Sequence, residues 1–195
     1  MYTYTIMKRT DWANVPALQL QNQLWKTDHA VSAQARLCYD ENALYVRLEA
    51  REAKIRAVHK GLLDPVCEDS CLEFFFRPIP DDLRYFNIEV NPNGAMYLGF
   101  GENVQHLQRI VSETPAISPV ITFTESGWVA EYAIAYSFIR LFFPDFSPVS
   151  GGSILANCYK CGDKTETPHW LCWAPIPEGT DTFHCPQYFA AMNFA

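Results

Sequence analysis

Glu68-Asp-Ser-Cys-Leu-Glu-Phe-Phe-Phe76 and Tyr85-Phe-Asn-Ile-Glu-Val-Asn-Pro-Asn-Gly94 are the two stretches whose reading decides the fold. At period two, the first sends Leu72, Phe74 and Phe76 to one face and Cys71, Glu73 and Phe75 to the other. The second sends Phe86, Ile88 and Val90 one way and Tyr85, Asn87, Glu89 and Asn91 the other. The link Arg77-Pro-Ile-Pro-Asp-Asp-Leu-Arg84 is short enough for a hairpin. An antiparallel pairing then sets Glu73 beside Asn87 or Glu89. Carboxylates on adjacent strands repel, so a cation, an Arg or Lys, a metal ion or a hydroxyl-rich ligand must relieve them.

The same grammar extends outward. Breakers such as Asp40-Glu-Asn42, Pro78, Pro80, Asn91-Pro-Asn-Gly94, Ser126-Gly127, Gly151-Gly152 and Pro175 separate alternating runs rich in Val, Ile, Tyr, Phe and Trp. The runs predict strands over Ala33–Tyr39, Ala43–Ala53, Cys71–Arg77, Arg84–Asn91, Ala95–Phe100, Val120–Glu125, Gly127–Ala135, Ile154–Tyr159 and His169–Trp173, with a last one near Phe189–Phe194. Tyr136–Phe143 reads as one or two helical turns, and Arg51–Leu63 carries a weaker helical pattern. Many short strands at regular spacing predict an all-β fold, an antiparallel β-sandwich of jelly-roll or immunoglobulin-like type. No repeat, linker or low-complexity tract divides the 195 residues, which read as a single domain over 1–195.

Composition narrows the partners. A net charge of −7 disfavours nucleic acid and anionic membranes. No apolar run is long enough to span a membrane, and none near Met1 is long enough for a signal peptide. The expected location is cytoplasmic if Met1 is the native start, and secreted otherwise. Cys38, Cys67, Cys71, Cys158, Cys161, Cys172 and Cys185 are an odd set, several inside apolar strands, and are expected to be reduced.

Three groups carry candidate chemistry. Asp69, Glu73, Glu89 and Asn91 lie on or beside the two opening strands. They read either as a solvated polar face or as a concave face that hydrogen-bonds a polyhydroxylated ligand. A glycosidase pair is a third reading, since cross-strand carboxyls have the spacing of retaining enzymes. Cys158 and Cys161 have the spacing of a zinc half-site that Cys67 and Cys71, or His169 and Cys172, would complete, but their odd separation puts the thiols on opposite faces of a regular strand. Lys160 between them is a candidate neutraliser of the acids. In Pro168-His-Trp-Leu-Cys-Trp-Ala-Pro175, Trp170 and Trp173 fall on opposite faces, so one is core and the other a platform for the C–H face of a sugar ring. Trp12, Trp25 and Trp128 read as core or edge-packing residues. His184 reads as a buried, hydrogen-bonded imidazole or a donor to ligand.

Asp-Ser-Cys-Leu-Glu-Phe-Phe-Phe, Tyr-Phe-Asn-Ile-Glu-Val-Asn-Pro-Asn-Gly, Gly-Trp-Val-Ala-Glu-Tyr-Ala-Ile-Ala and Asp-Thr-Phe-His-Cys-Pro-Gln-Tyr-Phe resemble the carbohydrate-binding module family 9-like domains, themselves similar to DOMON-type sandwiches. The resembling pieces run in order from about Ala33 to Phe194. The resemblance implies a jelly-roll-like sandwich that binds a mono- or oligosaccharide between two Trp residues, with structural calcium in some members. It maps Asp69 and Glu73 onto the family's acidic strand, Glu89 and Asn91 onto the next, and Glu131 onto the Trp-x-Ala-Glu strand. The chain departs from that pattern in two places. Asp64-Pro-Val-Cys-Glu-Asp69 holds no Trp, and Glu89 stands where a typical member offers an Arg.

The expectation is non-catalytic sugar binding by Asp69, Glu73, Glu89 and Asn91, with Lys160 and His184 as donors and Trp173 as the platform. One alternative is a sugar-processing enzyme built on the Glu73/Glu89 pair. Another is a DOMON-like cofactor module, whose haem would take Met96 or His106 as an axial ligand.

Overall fold

A computed structural model describes residues 2–25 and 30–195. Among these residues fourteen strands account for most of the regular structure: β1 Thr3–Lys8, β2 Leu18–Gln19, β3 Asn22–Gln23, β4 Ser32–Tyr39, β5 Ala43–Arg51, β6 Cys71–Arg77, β7 Tyr85–Val90, β8 Met96–Gly101, β9 Gln108–Arg109, β10 Val120–Thr124, β11 Gly127–Ala135, β12 Ser153–Cys161, β13 Trp170–Cys172 and β14 Ala190–Phe194. Among the described residues the single α-helical turn is α1, Tyr136–Ile139. The Arg51–Leu63 segment is strand end and loop, not helix.

The strands make a β-sandwich. The front layer runs β9-β8-β7-β6-β12-β14-β1 and the back layer β10-β11-β5-β4-β1. β1 belongs to both. Its Thr3–Ile6 half pairs with β14, and Met7–Lys8 pairs with β4. Both of these pairings are parallel, the exception in an otherwise antiparallel structure. The alternation read from sequence is obeyed. Leu72, Phe74, Phe76, Phe86, Ile88, Val90, Ile154, Ala156 and Cys158 meet Leu37, Val46, Leu48, Trp128, Ala130 and Ile134 of the back layer in one core.

The outer face of the front layer is buried as well. Cys71, Phe75, Tyr85, Tyr159, Cys161 and Cys172 form a second cluster with Val66, Ile176, Phe183, Cys185 and Phe189, which lie in loops over that face. Asn157 fastens this cover. Its side-chain amide donates to the Ala174 carbonyl at 2.9 Å, and its Oδ1 accepts from the Ala174 N–H at 2.9 Å. Both faces of β6 are therefore covered, and a polar side chain buried there needs an internal partner.

β12 shows how parity sorts its side chains. Lys160 is two residues from Cys158 and points between the layers. Its ammonium lies 3.3 Å from Glu52 Oε1 and donates to the Cys161 carbonyl at 2.9 Å and to His169 Nε2 at 2.7 Å. Glu52 also accepts from Trp128 Nε1 at 2.7 Å and Ser70 Oγ at 2.8 Å. This dry polar network pins β5, β11 and β12 together at one end of the sandwich. Replacing Lys160 with Met strands the Glu52 carboxylate without its cation, which costs about 3–5 kcal/mol. Pairing it with Glu52→Gln should recover part of the loss. Chemical denaturation of the two variants measures this, and a loss under about 1 kcal/mol in Lys160→Met would show that the network is not a structural pin.

Candidate functional site

The register sets Glu73 directly opposite Glu89, with Tyr159 across from Glu73 on the other side. The two carboxyls form the floor of a hollow of about 200 Å³ on the outer front face. Its walls are loop and strand-end residues: Cys67, Cys161, Asp163, Trp25, Trp170 and Asp181 to His184. No Lys or Arg lines it among the described residues.

The indole wall follows from a remote pairing. β3 pairs antiparallel with β13, and Leu24 donates to the Trp170 carbonyl at 2.9 Å. Trp25, the next residue, therefore stands beside Trp170, their ring centroids 5.4 Å apart and nearly perpendicular at 71°. Trp25 adopts φ of 51°, a left-handed backbone rare for a bulky residue. Its Nε1 donates to the Thr180 carbonyl, and its ring stacks on Phe183 at 5.5 Å. Phe183 stacks in turn on Tyr159 at 4.2 Å, which completes a three-ring column. Trp170 Nε1 donates to Asp163 Oδ1 at 2.7 Å. Trp25 remains 46% exposed, a large apolar ring at the rim of a polar hollow.

The floor is electrostatically unrelieved. Glu73 is 2% and Glu89 8% exposed. Burial pushes Glu73 well above the usual carboxylate range, and the Glu89 charge adds to the effect. Burial pushes Glu89 up to about 7, although its hydrogen bond from Asn87 Nδ2 at 2.9 Å and the nearby Arg109 both pull it down. Near neutral pH the pair therefore holds a proton and offers both a donor and acceptors. His184 is a third neutral group. Burial lowers it to about 4, and its Nδ1 lies 2.9 Å from the Tyr85 hydroxyl, which burial holds protonated. The neutral ring carries one donor and one acceptor nitrogen.

Of the residues singled out in the sequence, Glu73, Glu89 and His184 come together here. Asp69 and Asn91 do not line the hollow. Asp69 Oδ2 accepts from the Val58 and His59 N–H groups and from Asn91 Nδ2, each at 2.9 Å, and Arg56 faces its Oδ1 at 3.3 Å. Asn91 Oδ1 accepts from Asn93 and Ala95 N–H in the turn that Gly94, at φ 75°, completes. These two residues brace the loops beside the floor. Lys160 faces away, into the Glu52 network, because it is one residue out of phase with Cys161. Trp173 lies in the core, 5% exposed and edge-on to Tyr2 and Tyr4. Of the two Trp residues that sequence leaves open for the platform, Trp170 is the one at the hollow, whereas Trp25, expected as a core or edge-packing residue, stands exposed at the rim because β3 carries it there. Sequence reading passes over Asp163 and Phe183. The signal for Trp25 is a Trp inside the polar run Gln21-Asn-Gln-Leu-Trp-Lys26. Glu131 pairs with Arg47 at 3.0 Å on the back layer. Met96 packs on the inter-layer core and His106 is exposed on the turn after β8, so the two do not share a cavity.

Among the described residues, one group of three or more His, Cys, Asp or Glu donors lies close enough to share an ion: Cys71, Glu73 and Cys161. Two thiols and one carboxyl are a poor match to calcium, which takes six or more oxygens. The calcium implied by the resemblance therefore does not fit this group. Cys158 points into the inter-layer core and does not meet Cys161.

Larger hollows of about 420 and 710 Å³ lie on the back layer. Several of the charges at them are already paired, Glu49 with Arg36 and Arg47, Glu131 with Arg47 and Arg9 with Asp40. They have neither a buried carboxyl pair nor an indole wall on the scale of the front hollow, which is why the smaller one is the candidate.

A β-sandwich with a small, acid-floored, indole-walled hollow on one face is the frame of a small-ligand binding module. Residues 5–194 match carbohydrate-binding family 9, and the chain belongs to that family. It is similar to a candidate carbohydrate-binding protein from Bacteroides uniformis, at 25% identity and a TM-score of 0.83 over 100% of this chain and 98% of that one. Its fold is shared by a family 9 module from Caldicellulosiruptor kristjanssonii at 13% identity. The complex of that module with glucose gives a TM-score of 0.70 over 100% of this chain and 96% of that one. The complex with cellotriose gives 0.69 over 99% and 93%. No curated protein matches the chain.

The elevated carboxyl pair predicts a pH signature in stability. An acid whose folded pKa is raised stabilises most below its unfolded value and loses that stability as pH rises through the folded value. Between the ordinary glutamate range and about 7, folding should weaken as the floor ionises. With EDTA present to keep stray cations off the carboxyls, Glu89→Gln should be more stable than the parent at pH 8.5, by roughly 1.4 kcal/mol per unit of elevation, and near parity at pH 4. Melts of both proteins across pH read this. An equal difference at all pH values would contradict the elevated pair.

Proposed function

We propose that the chain binds carbohydrate without transforming it, and that one sugar unit, free or at a chain end, occupies the front hollow. The observation that carries the reading is the meeting of the Glu73/Glu89 floor with the Trp25/Trp170 wall. Sugar rings present apolar C–H faces and paired hydroxyls. Indoles cover the first, and a half-protonated carboxyl pair with the neutral His184 ring satisfies the second by both donating and accepting. The volume of about 200 Å³ is below that of sites for drug-sized ligands, which suits a single ring rather than a long chain. Relatives solved with glucose and cellotriose support gluco-configured ligands as the first to try.

The two indoles meet edge to face at 5.4 Å, so a ring held between them requires Trp25 to swing outward. That movement breaks its hydrogen bond to Thr180 and opens its stack on Phe183. Glycoside hydrolysis is less well supported. That chemistry needs an acid and a separate base or nucleophile flanking the scissile bond, whereas Glu73 and Glu89 stand side by side in one floor and are elevated by the same burial.

Calorimetric titration with glucose, cellobiose and cellotriose should give one site of micromolar to millimolar affinity. Trp170→Ala should weaken it at least tenfold while the melting temperature changes little. Absence of heat with every mono- and oligosaccharide tried would overturn the proposal.

A further inference from the structure

Behind one side of the floor, two buried thiols for which sugar binding gives no reason converge on Glu73. Cys71 and Glu73 stand two residues apart on the same face of β6, and Cys161 is the register partner of Cys71 on β12. Their donor atoms all lie within 4.8 Å of one another. Cys161 Sγ is 2.9 Å from Glu73 Oε1. All three residues are buried on central strands of the front layer, with Glu73 and Cys161 paired on both sides and Cys71 paired to Cys161 on one. We propose that Cys71, Glu73 and Cys161 form a binding site for a thiolate-preferring divalent cation of the zinc type.

The chemistry of the donors selects the ion. Two thiolates and a carboxylate suit zinc in tetrahedral geometry and discriminate against calcium and magnesium. Zinc ligands lie about 2.0–2.3 Å from the ion and hence about 3.5–4 Å from each other, so the triangle needs adjustments of about one ångström. Glu73 and Cys161 also line the hollow, which gives the ion a route in and leaves a fourth position facing solvent. Half-buried Cys67 stands at that mouth, its carbonyl 3.5 Å from Cys161 Sγ. The hollow adds Glu89, Asp163 and Asp181 and, among the described residues, no Lys or Arg, so its field draws cations in. Lys160, next to Cys161 in sequence, is spent on Glu52 on the opposite face. Binding displaces the thiol protons into solvent.

The inference does not rest on the sugar reading, and its test contains no sugar. The full chain, stripped of metal and held reduced by a phosphine, is titrated with Zn²⁺ against a chromophoric chelator, and separately with Co²⁺. One equivalent of Zn²⁺ and an intense thiolate-to-cobalt charge-transfer band are expected. Cys161→Ser and Cys71→Ser should each lower Zn²⁺ affinity at least tenfold. Cys158→Ser, on the other face of β12, should leave it unchanged. Circular dichroism establishes that each variant is folded. Should a variant at the site not fold, the cobalt spectrum of the unaltered chain decides alone. Overturning results are uptake below one equivalent, cobalt binding without a thiolate band, or Zn²⁺ affinity equal in a folded Cys161→Ser.

Discussion

Strand β6 is paired on both edges and covered on both faces, and the rest of the structure depends on how that burial is satisfied. Seven consecutive side chains are buried, with a small hollow over Glu73, so each face must largely supply its own partners. Toward the back layer the answer is hydrocarbon, with Leu72, Phe74 and Phe76 in the main core. Away from it, Cys71 and Glu73 sit under a lid of loops with Glu89 as the direct neighbour of Glu73. A carboxyl pair in that position is held neutral in part by its own protons, at a cost to folding that a ligand can repay. The hollow is the place where the sandwich stores this unrelieved polarity.

The outer cover converts a sheet face into a site. Asn157 clamps Ala174, Asp69 and Asn91 hold the loops on the other flank, and the β3–β13 pairing carries Trp25 to Trp170. None of these devices touches the centre of the hollow, yet each fixes a wall of it. The Lys160 network does the complementary task between the layers, closing the end of the sandwich with a buried ion pair that gives the Glu52 carboxylate its cation.

Much of this was legible because period two is a strict code. Cys71–Arg77 and Gly127–Ala135 have the predicted bounds, most other strands shift by one or two residues, and the two faces of β6 and β7 sort as their alternation requires. The code has a limit. It says which residues share a face, not which face looks outward. Trp170 and Trp173 were separated correctly by parity, but only the register of β13 on β12 turns Trp170 to the hollow and Trp173 to the core. Lys160 shows the same limit, since its proximity to Cys161 in sequence hides that it lies on the opposite side. β1 was missed because its partners, β4 and β14, are distant in sequence and both pairings are parallel, with no turn to announce them. Trp25 was missed for a similar reason. Its role exists only once β3 meets β13.

The most direct test of the central claim is where a sugar lies. Crystals of the chain soaked with cellobiose should show one terminal ring in the front hollow, its hydroxyls on Glu73, Glu89 and His184 and its C–H face on Trp170 or Trp25. A ring bound instead along the back layer, beside Gln34, Glu49 and Arg51, with the front hollow unchanged, would contradict the account.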